Sequence, residues 1–347
     1  MHKEDVIAKA GSLEVMQGVK AAGERFGGEF LEGLIFQSGD FSGAQFAGTH
    51  MRDCYFSHCD FSHARILGAD WSGCQFDSCN FQDAHIEDTK LKDASFGDCQ
   101  LVGALFSGCE AEEIGFVDCD ARRSIWRDQS LAGADVVESN FQGAEFDRAD
   151  LSKASFFRTE LGDMTLKETV LRDVMFSGAT LAGYNFSGQD LGGMQFNEAI
   201  LKNVDFSRCA MVMCNFTDAR IENCQFSSAD AKNSLFVNAE IHDTSFAHTV
   251  LSQSLWGGAN VTKVDFADSR LDMCSLSKVM LTDCRLAKAD LRYTDFSYSV
   301  LSQCDFADVH MEKTRFHRAV VDDMSIKRRA GALERDDELF EAELWSA

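Results

Sequence analysis

The stretch 171–206 reads LRDVM FSGAT LAGYN FSGQD LGGMQ FNEAI LKNVD F, which places Leu171, Phe176, Leu181, Phe186, Leu191, Phe196, Leu201 and Phe206 five residues apart. Outward from it, the same frame runs without a slip from Leu31 to Ile326, and all 60 of its positions are apolar. The column two residues earlier, from Leu34 to Met324, holds mostly Ala, Cys, Ser, Thr or Val and no charge. The other three columns carry all 45 acidic and 25 basic residues between Glu32 and Asp323. A period of five is neither the 3.6 of a helix nor the 2.0 of a strand. Two inward residues two apart suit a short extended segment, because alternate side chains share a side. The next inward residue comes three later, which demands a corner. Phe and Leu alternate every ten residues, so a closed turn holds an even number of faces, and four is the smallest number that encloses a core.

Composition agrees. The 347 residues include 29 Phe and no Pro, where average usage of about 5% would predict many prolines. Hydrophobic content of 45% suffices for a packed core and excludes general disorder. The formal charge of −23 argues against direct nucleic-acid binding.

The sequence resembles the pentapeptide repeat family, whose pattern is Ala-Asp/Asn-Leu/Phe-Ser/Thr-any residue. Ala149-Asp150-Leu151-Ser152-Lys153, Ala289-Asp290-Leu291-Arg292-Tyr293 and the run from Cys209 through Phe216 to Ala219 show it or its variants. The resemblance implies an all-β fold: a right-handed, quadrilateral parallel β-helix with one pentapeptide per face and 20 residues per coil. Sixty pentapeptides then make about 15 coils, a single solenoid roughly 70 Å long at about 4.8 Å per layer. Residues 28–326 are assigned to it. Its open ends call for caps. Residues 1–27 are expected to form a partly helical or irregular lead-in, with Val6, Ile7, Leu13 and Met16 in a loose helical pattern and Ser12 as a cap, although Met16, Ala21 and Phe26 also fit the five-residue frame. Residues 327–347 are expected to form an amphipathic helix, with Leu333, Phe340 and Leu344 at helical spacing. That tail either covers the last coil or, with Trp345, makes a homodimer contact as in some family members; the sequence does not separate the two.

No positively charged leader and no run of membrane-spanning length is present, so the expected location is cytoplasmic without membrane insertion. All thirteen cysteines lie in the small inward column and read as packing residues rather than disulfides or zinc ligands. The nine histidines read as solvated. The Gly pairs 27–28, 192–193 and 257–258 lack the context of a phosphate loop. No catalytic, cofactor or metal site is identified, and an enzyme is not expected.

Charge is uneven along the repeats. Residues 32–120 carry 16 acidic and 4 basic groups, while 121–220 carry 14 and 11. At about 4.8 Å per layer the first third has about one net charge per 1.8 Å, against about 1.7 Å for B-DNA. Asp98, Asp118 and Glu138 should stack, as should Asp93 and Glu113. The candidate interaction surface is therefore Asp83, Glu87, Asp88, Asp93, Asp98, Glu110, Glu112, Glu113, Asp118, Asp120 and Glu138, facing a protein partner with a basic surface. The coil 109–128 departs from the core pattern at Ala111, Ala121 and Trp126, beside Arg122, Arg123 and Arg127, and is expected to bend or change its cross-section. The leading function is a non-catalytic scaffold or adaptor. Ala21 to Phe26, Leu34-Ile35-Phe36 and Gly39 to Ala44 look like the preface of family members encoded beside type VI secretion components. The alternative is a DNA mimic that binds DNA gyrase or a related topoisomerase through its acidic third, as known in this family.

Overall fold

The computed structural model describes residues 2–10, 14–323 and 326–346. Nearly every backbone ladder joins a residue to the one twenty positions later, as in Met16 to Phe36 to Phe56 and Phe26 to Phe46 to Ile66. One coil is therefore 20 residues with four faces, and the fold is an all-β, right-handed parallel solenoid of about 16 turns with short helices at its ends. The extra turn arises because the coil starts before residue 28. Strands already occupy Val15–Gln17 and Arg25–Gly27, so Met16 centres a strand rather than lying on a helix. The lead-in helix α1 is short, Lys3–Ala8. Ser12 and Leu13 lie outside the described residues, as does Met324.

Each corner is made by one residue in the left-handed region. Every fifth residue from Gly18 to Arg318 has φ between +48° and +77°. That conformation costs an L-residue with a Cβ about 1–2 kcal/mol, least for Gly, Asn and Asp. The corner N–H then donates to the next coil, as Gly18 does to Gln37 O at 2.8 Å and Asp98 to Val117 O at 2.9 Å. Proline, fixed at negative φ and lacking an N–H, suits neither role.

Two compact units can be distinguished, Met1–Thr180 and Leu181–Ala347. In the first, three-residue strands line two opposite faces, centred on Met16 and Phe26, and isolated bridges join the faces centred on Ala21 and Leu31. In the second, three-residue strands line one face, from Ile200–Lys202 to Val300–Ser302, and bridges serve the other three. Inside each unit identical rings stack. Phe36, Phe56, Phe76 and Phe96 have centroids 4.7 to 5.1 Å apart, and Phe206, Phe226 and Phe246 4.5 to 4.8 Å. These distances match the layer spacing, so in these columns ring packs directly on ring.

The small inward column has a second role. Its hydroxyls and thiols donate to the carbonyl of a central residue 23 positions earlier: Cys54 to Leu31 at 2.9 Å, Cys214 to Leu191 at 3.0 Å, Thr249 to Phe226 at 2.7 Å and Thr294 to Leu271 at 2.7 Å. Size alone suggests Ala there. The frequency of Cys, Ser and Thr follows from this buried acceptor.

The tail departs from its expected form. Ala332–Leu333 pairs with Thr314–Arg315 and closes a further partial coil, so Leu333 is strand, not helix. Gly331, at φ +88°, allows the turn; a Cβ there would stand 2.1 Å from Met311 O. Helix α2, Asp337–Ser346, follows, and the Asp336 carboxylate accepts the Glu338 and Leu339 N–H groups at 3.1 Å.

Candidate interaction surfaces

The eleven acidic residues singled out from the sequence do not share a face. Asp83, Asp88, Asp93 and Asp98 are successive corner residues, one at each of the four corners of a coil; Glu113, Asp118 and Glu138 are corners too. Asp98, Asp118 and Glu138 lie at 20-residue spacing on one corner column, and Asp93 and Glu113 on another, as the spacing requires. Glu87 sits in a strand register, opposite Leu67 and Ser107. Glu110 and Asp120 occupy bridge positions, and Glu112 is the outward residue after Ala111. Seven of the eleven thus occupy the left-handed position, where Asp is conformationally favoured. Part of the acidic density has this backbone cause, a signal missed in the sequence because the sign of φ is invisible until the corner is built.

Their pairing is uneven. Asp120 is held by Arg122 at 2.6 Å, which lowers its pKa below the usual aspartate value. Glu138 meets Arg158 at 3.4 Å, Glu110 meets Lys90 at 4.0 Å, and Asp83 lies 4.0 Å from His63. Glu87, Asp88, Asp93, Asp98, Glu112, Glu113 and Asp118 form no ion pair among the described residues.

The coil 109–128 keeps its shape, against expectation. Strands Leu105–Ser107, Gly115–Val117, Ile125–Arg127 and Asp135–Val137 stay in register, and the corners at 113, 118, 123 and 128 keep φ near +55°. The reason is volume exchange. Trp126 stacks on Phe106 at 4.2 Å and meets Phe116 edge-on at 5.4 Å, occupying the space that Ala111 and Ala121 leave. Its indole N–H donates to Ser124 Oγ at 2.7 Å. In the second unit, Trp256 repeats the device with Ser254 at 2.7 Å. Arg122 and Arg127 point to carboxylates, Arg127 to Glu145 and Asp147 at 3.5 Å each.

The end contacts are now specific. Glu343 of α2 accepts from Tyr298, from Arg318 Nε at 2.7 and 2.8 Å, and lies 3.2 Å from His317 Nε2. These donors, Arg318 first, hold its pKa down at about 2. His317 is buried, contrary to the reading of all nine histidines as solvated, and its Nδ1 accepts the Asp336 N–H at 3.2 Å. Phe340 lies under the Arg335 guanidinium at 4.0 Å, whereas Leu344 and Trp345 are exposed. Twelve cysteines are buried and Cys304 is half-buried; burial raises the thiol pKa of Cys109 to about 11 and of Cys214 and Cys274 to about 12, which keeps them protonated. Among the described residues, no group of three or more His, Cys, Asp or Glu is placed to hold a metal ion, and no helix is long and apolar enough to cross a membrane.

Comparison with known proteins agrees with this geometry. Two family models match, one described as a pentapeptide repeat region over 31–104 and 199–276, the other as pentapeptide repeats (8 copies) over 127–163 and 284–321. No curated protein matches. Similar solved structures include a trypsin-treated form of QnrB1, a plasmid-mediated fluoroquinolone resistance protein, at 21% identity over 59% of this chain and 83% of that one, with a TM-score of 0.30. HetL, involved in heterocyst differentiation regulation in Nostoc sp. strain PCC 7120, is 14% identical over 77% and 91% with a TM-score of 0.17. Rfr23 from Cyanothece 51142 is 14% identical over 43% and 91% with a TM-score of 0.19. With a 20-residue coil, a left-handed corner every fifth residue and the repeat matched along both units, this chain is a pentapeptide repeat protein.

Proposed function

We propose that the protein is a non-catalytic scaffold that binds a protein with a basic surface through residues 83–138. The observation that carries this reading is that eight outward carboxylates in that span, Asp135 and the seven named above, form no ion pair among the described residues. Like charges one layer apart repel by tenths of a kcal/mol each, and a cationic partner relieves that. The thiols of the inward column suit a reducing, cytoplasmic location. An accessory of a type VI secretion system is the narrower form of this reading; the stretch 21–44 behind it is wound as part of the first coils. The second reading is a DNA mimic acting on gyrase; carboxylates at all four corners surround the coil, as phosphates surround a duplex. For α2, where Leu344 and Trp345 are exposed, a homodimer through the tail is the rival to any dimer formed along the coils, and a Leu344→Ala, Trp345→Ala variant that turns monomeric would favour it.

One experiment separates the outcomes. The wild-type chain and a variant with Asp93, Asp98, Glu113 and Asp118 changed to Asn or Gln are compared at low and high salt in affinity capture from a bacterial lysate and in a gyrase supercoiling assay. Scaffold binding predicts a captured basic protein that is lost in the variant and at high salt. Gyrase inhibition with the same dependence favours the mimic. Capture that the four substitutions leave unchanged overturns the acidic-surface reading.

A further inference from the structure

One face of the first unit differs from the other three. On the face centred on Met16, Phe36 and their successors, the outward residues between corners run from Val15 to Ser177, 18 positions of which only Asp77 and Asp135 are charged. The other three faces offer 16 such positions each and carry six, seven and nine charges. Five of the eight large apolar side chains that the described coils of this unit leave exposed stand on the charge-poor face: Val15, Ile35, Val117, Phe157 and Met175. Corner conformation does not account for this, because none of these positions is a corner.

We propose that a second copy of this chain docks on this face, antiparallel, about a two-fold axis at Ser95 and Gly97. Three observations select that occupant. The backbone of a solenoid face is already bonded to the coils on either side, so a partner cannot add a strand and must meet side chains alone. Two copies of net charge −23 repel everywhere except where charge is missing. Nine layers at about 4.8 Å and a width of about 12 Å give about 500 Å² per copy and about 1,000 Å² in all, the lower limit of a specific interface.

The face is also self-complementary. Ser95 and Gly97 form the fifth of the nine layers, with Gly115 beside them, so the centre admits close approach. Each layer then meets its mirror counterpart: Ile35 and Gln37 face Ser155 and Phe157, and Tyr55 faces Asp135, a hydroxyl against a carboxylate. Asp77 faces Val117. Neither carboxylate of the face meets another. The flanking corners set Gly33 against Lys153 and His58 against Glu138. Asp93 and Asp98, at the level of the axis, meet their own copies, so added salt tightens this dimer, the reverse of its effect on a basic partner.

Sedimentation velocity on the full chain tests this, with Val117→Glu, Val117→Arg and the double variant Leu344→Ala, Trp345→Ala. The expected result is a wild-type dimer that tightens with salt, that Val117→Glu weakens about tenfold or more by opposing Asp77 of the copy, and that Val117→Arg tightens. The tail variant should leave it intact. In parallel, Ser95→Cys should cross-link to itself under mild oxidation and Ser155→Cys should not. A monomeric wild type, equal weakening by Glu and Arg at 117, or a dimer lost only in the tail variant overturns the proposal; because Asp93, Asp98, Glu113, Asp118 and Glu138 edge this face, a basic partner there competes with the dimer, and the opposite response to salt tells the two apart.

Discussion

At the scale of the residue, the corner decides what each side chain costs. Met213 holds φ +63° with its side chain exposed, so Met213→Asn should stabilise the protein by about 0.5–1 kcal/mol, while Gly133→Ala, at φ +71°, should destabilise it by about 1 kcal/mol. Chemical denaturation reads both, and equal midpoints for the two variants would remove the corner argument. Gln129 is the converse case: it sits in the small inward column, its side-chain amide buried without a hydrogen-bond partner among the described residues. A threonine there repeats the bond that Thr169 makes to Phe146 O at 3.1 Å. Gln129→Thr should therefore raise stability by about 1 kcal/mol, seen as a later unfolding midpoint. The identity of the inward columns was legible from Leu31 to Ile326; which of their members carry a hydrogen bond was not, because the acceptor lies 23 residues away.

At the scale of the element, Glu343 gathers most of the polar contacts that join α2 to the coils. The Glu343 pKa is depressed to about 2, so the stability it contributes is present above the ordinary glutamate value of 4.5 and lost as pH falls from about 4.5 to about 2. Hydrogen exchange of residues 337–346 should show protection that fades across that window. Glu343→Gln should lower the protection at neutral pH and flatten its pH dependence; a curve like the wild type's would show that another contact holds the helix. The helix itself was readable from Phe340 and Leu344; its cap, Asp336, emerged only with the structure. Leu333 misled, since helical spacing to Phe340 and Leu344 says nothing of the partner strand Thr314–Arg315 that claims it. Trp126 misled similarly: a sequence shows the large residue but not that Ala111 and Ala121 lie on the two faces flanking it.

At the scale of the whole molecule, charge is the variable left free by the core. The acidic span 83–138 and the charge-poor face centred on Met16 lie in the same unit, and their predicted responses to salt have opposite sign. That opposition makes ionic strength the measurement that separates binding a basic partner from self-association. By itself the sequence determined the five-residue period, the four faces, the sorting of inward from outward residues and the membership of the family, because a solenoid repeats one local rule and each coil meets only its neighbours. Only the tertiary structure decided which outward residues share a face or a corner, where the coil begins and closes, and which carboxylates are paired. Those depend on the path of the backbone around the corner and on contacts 20 or more residues apart, which no local pattern encodes.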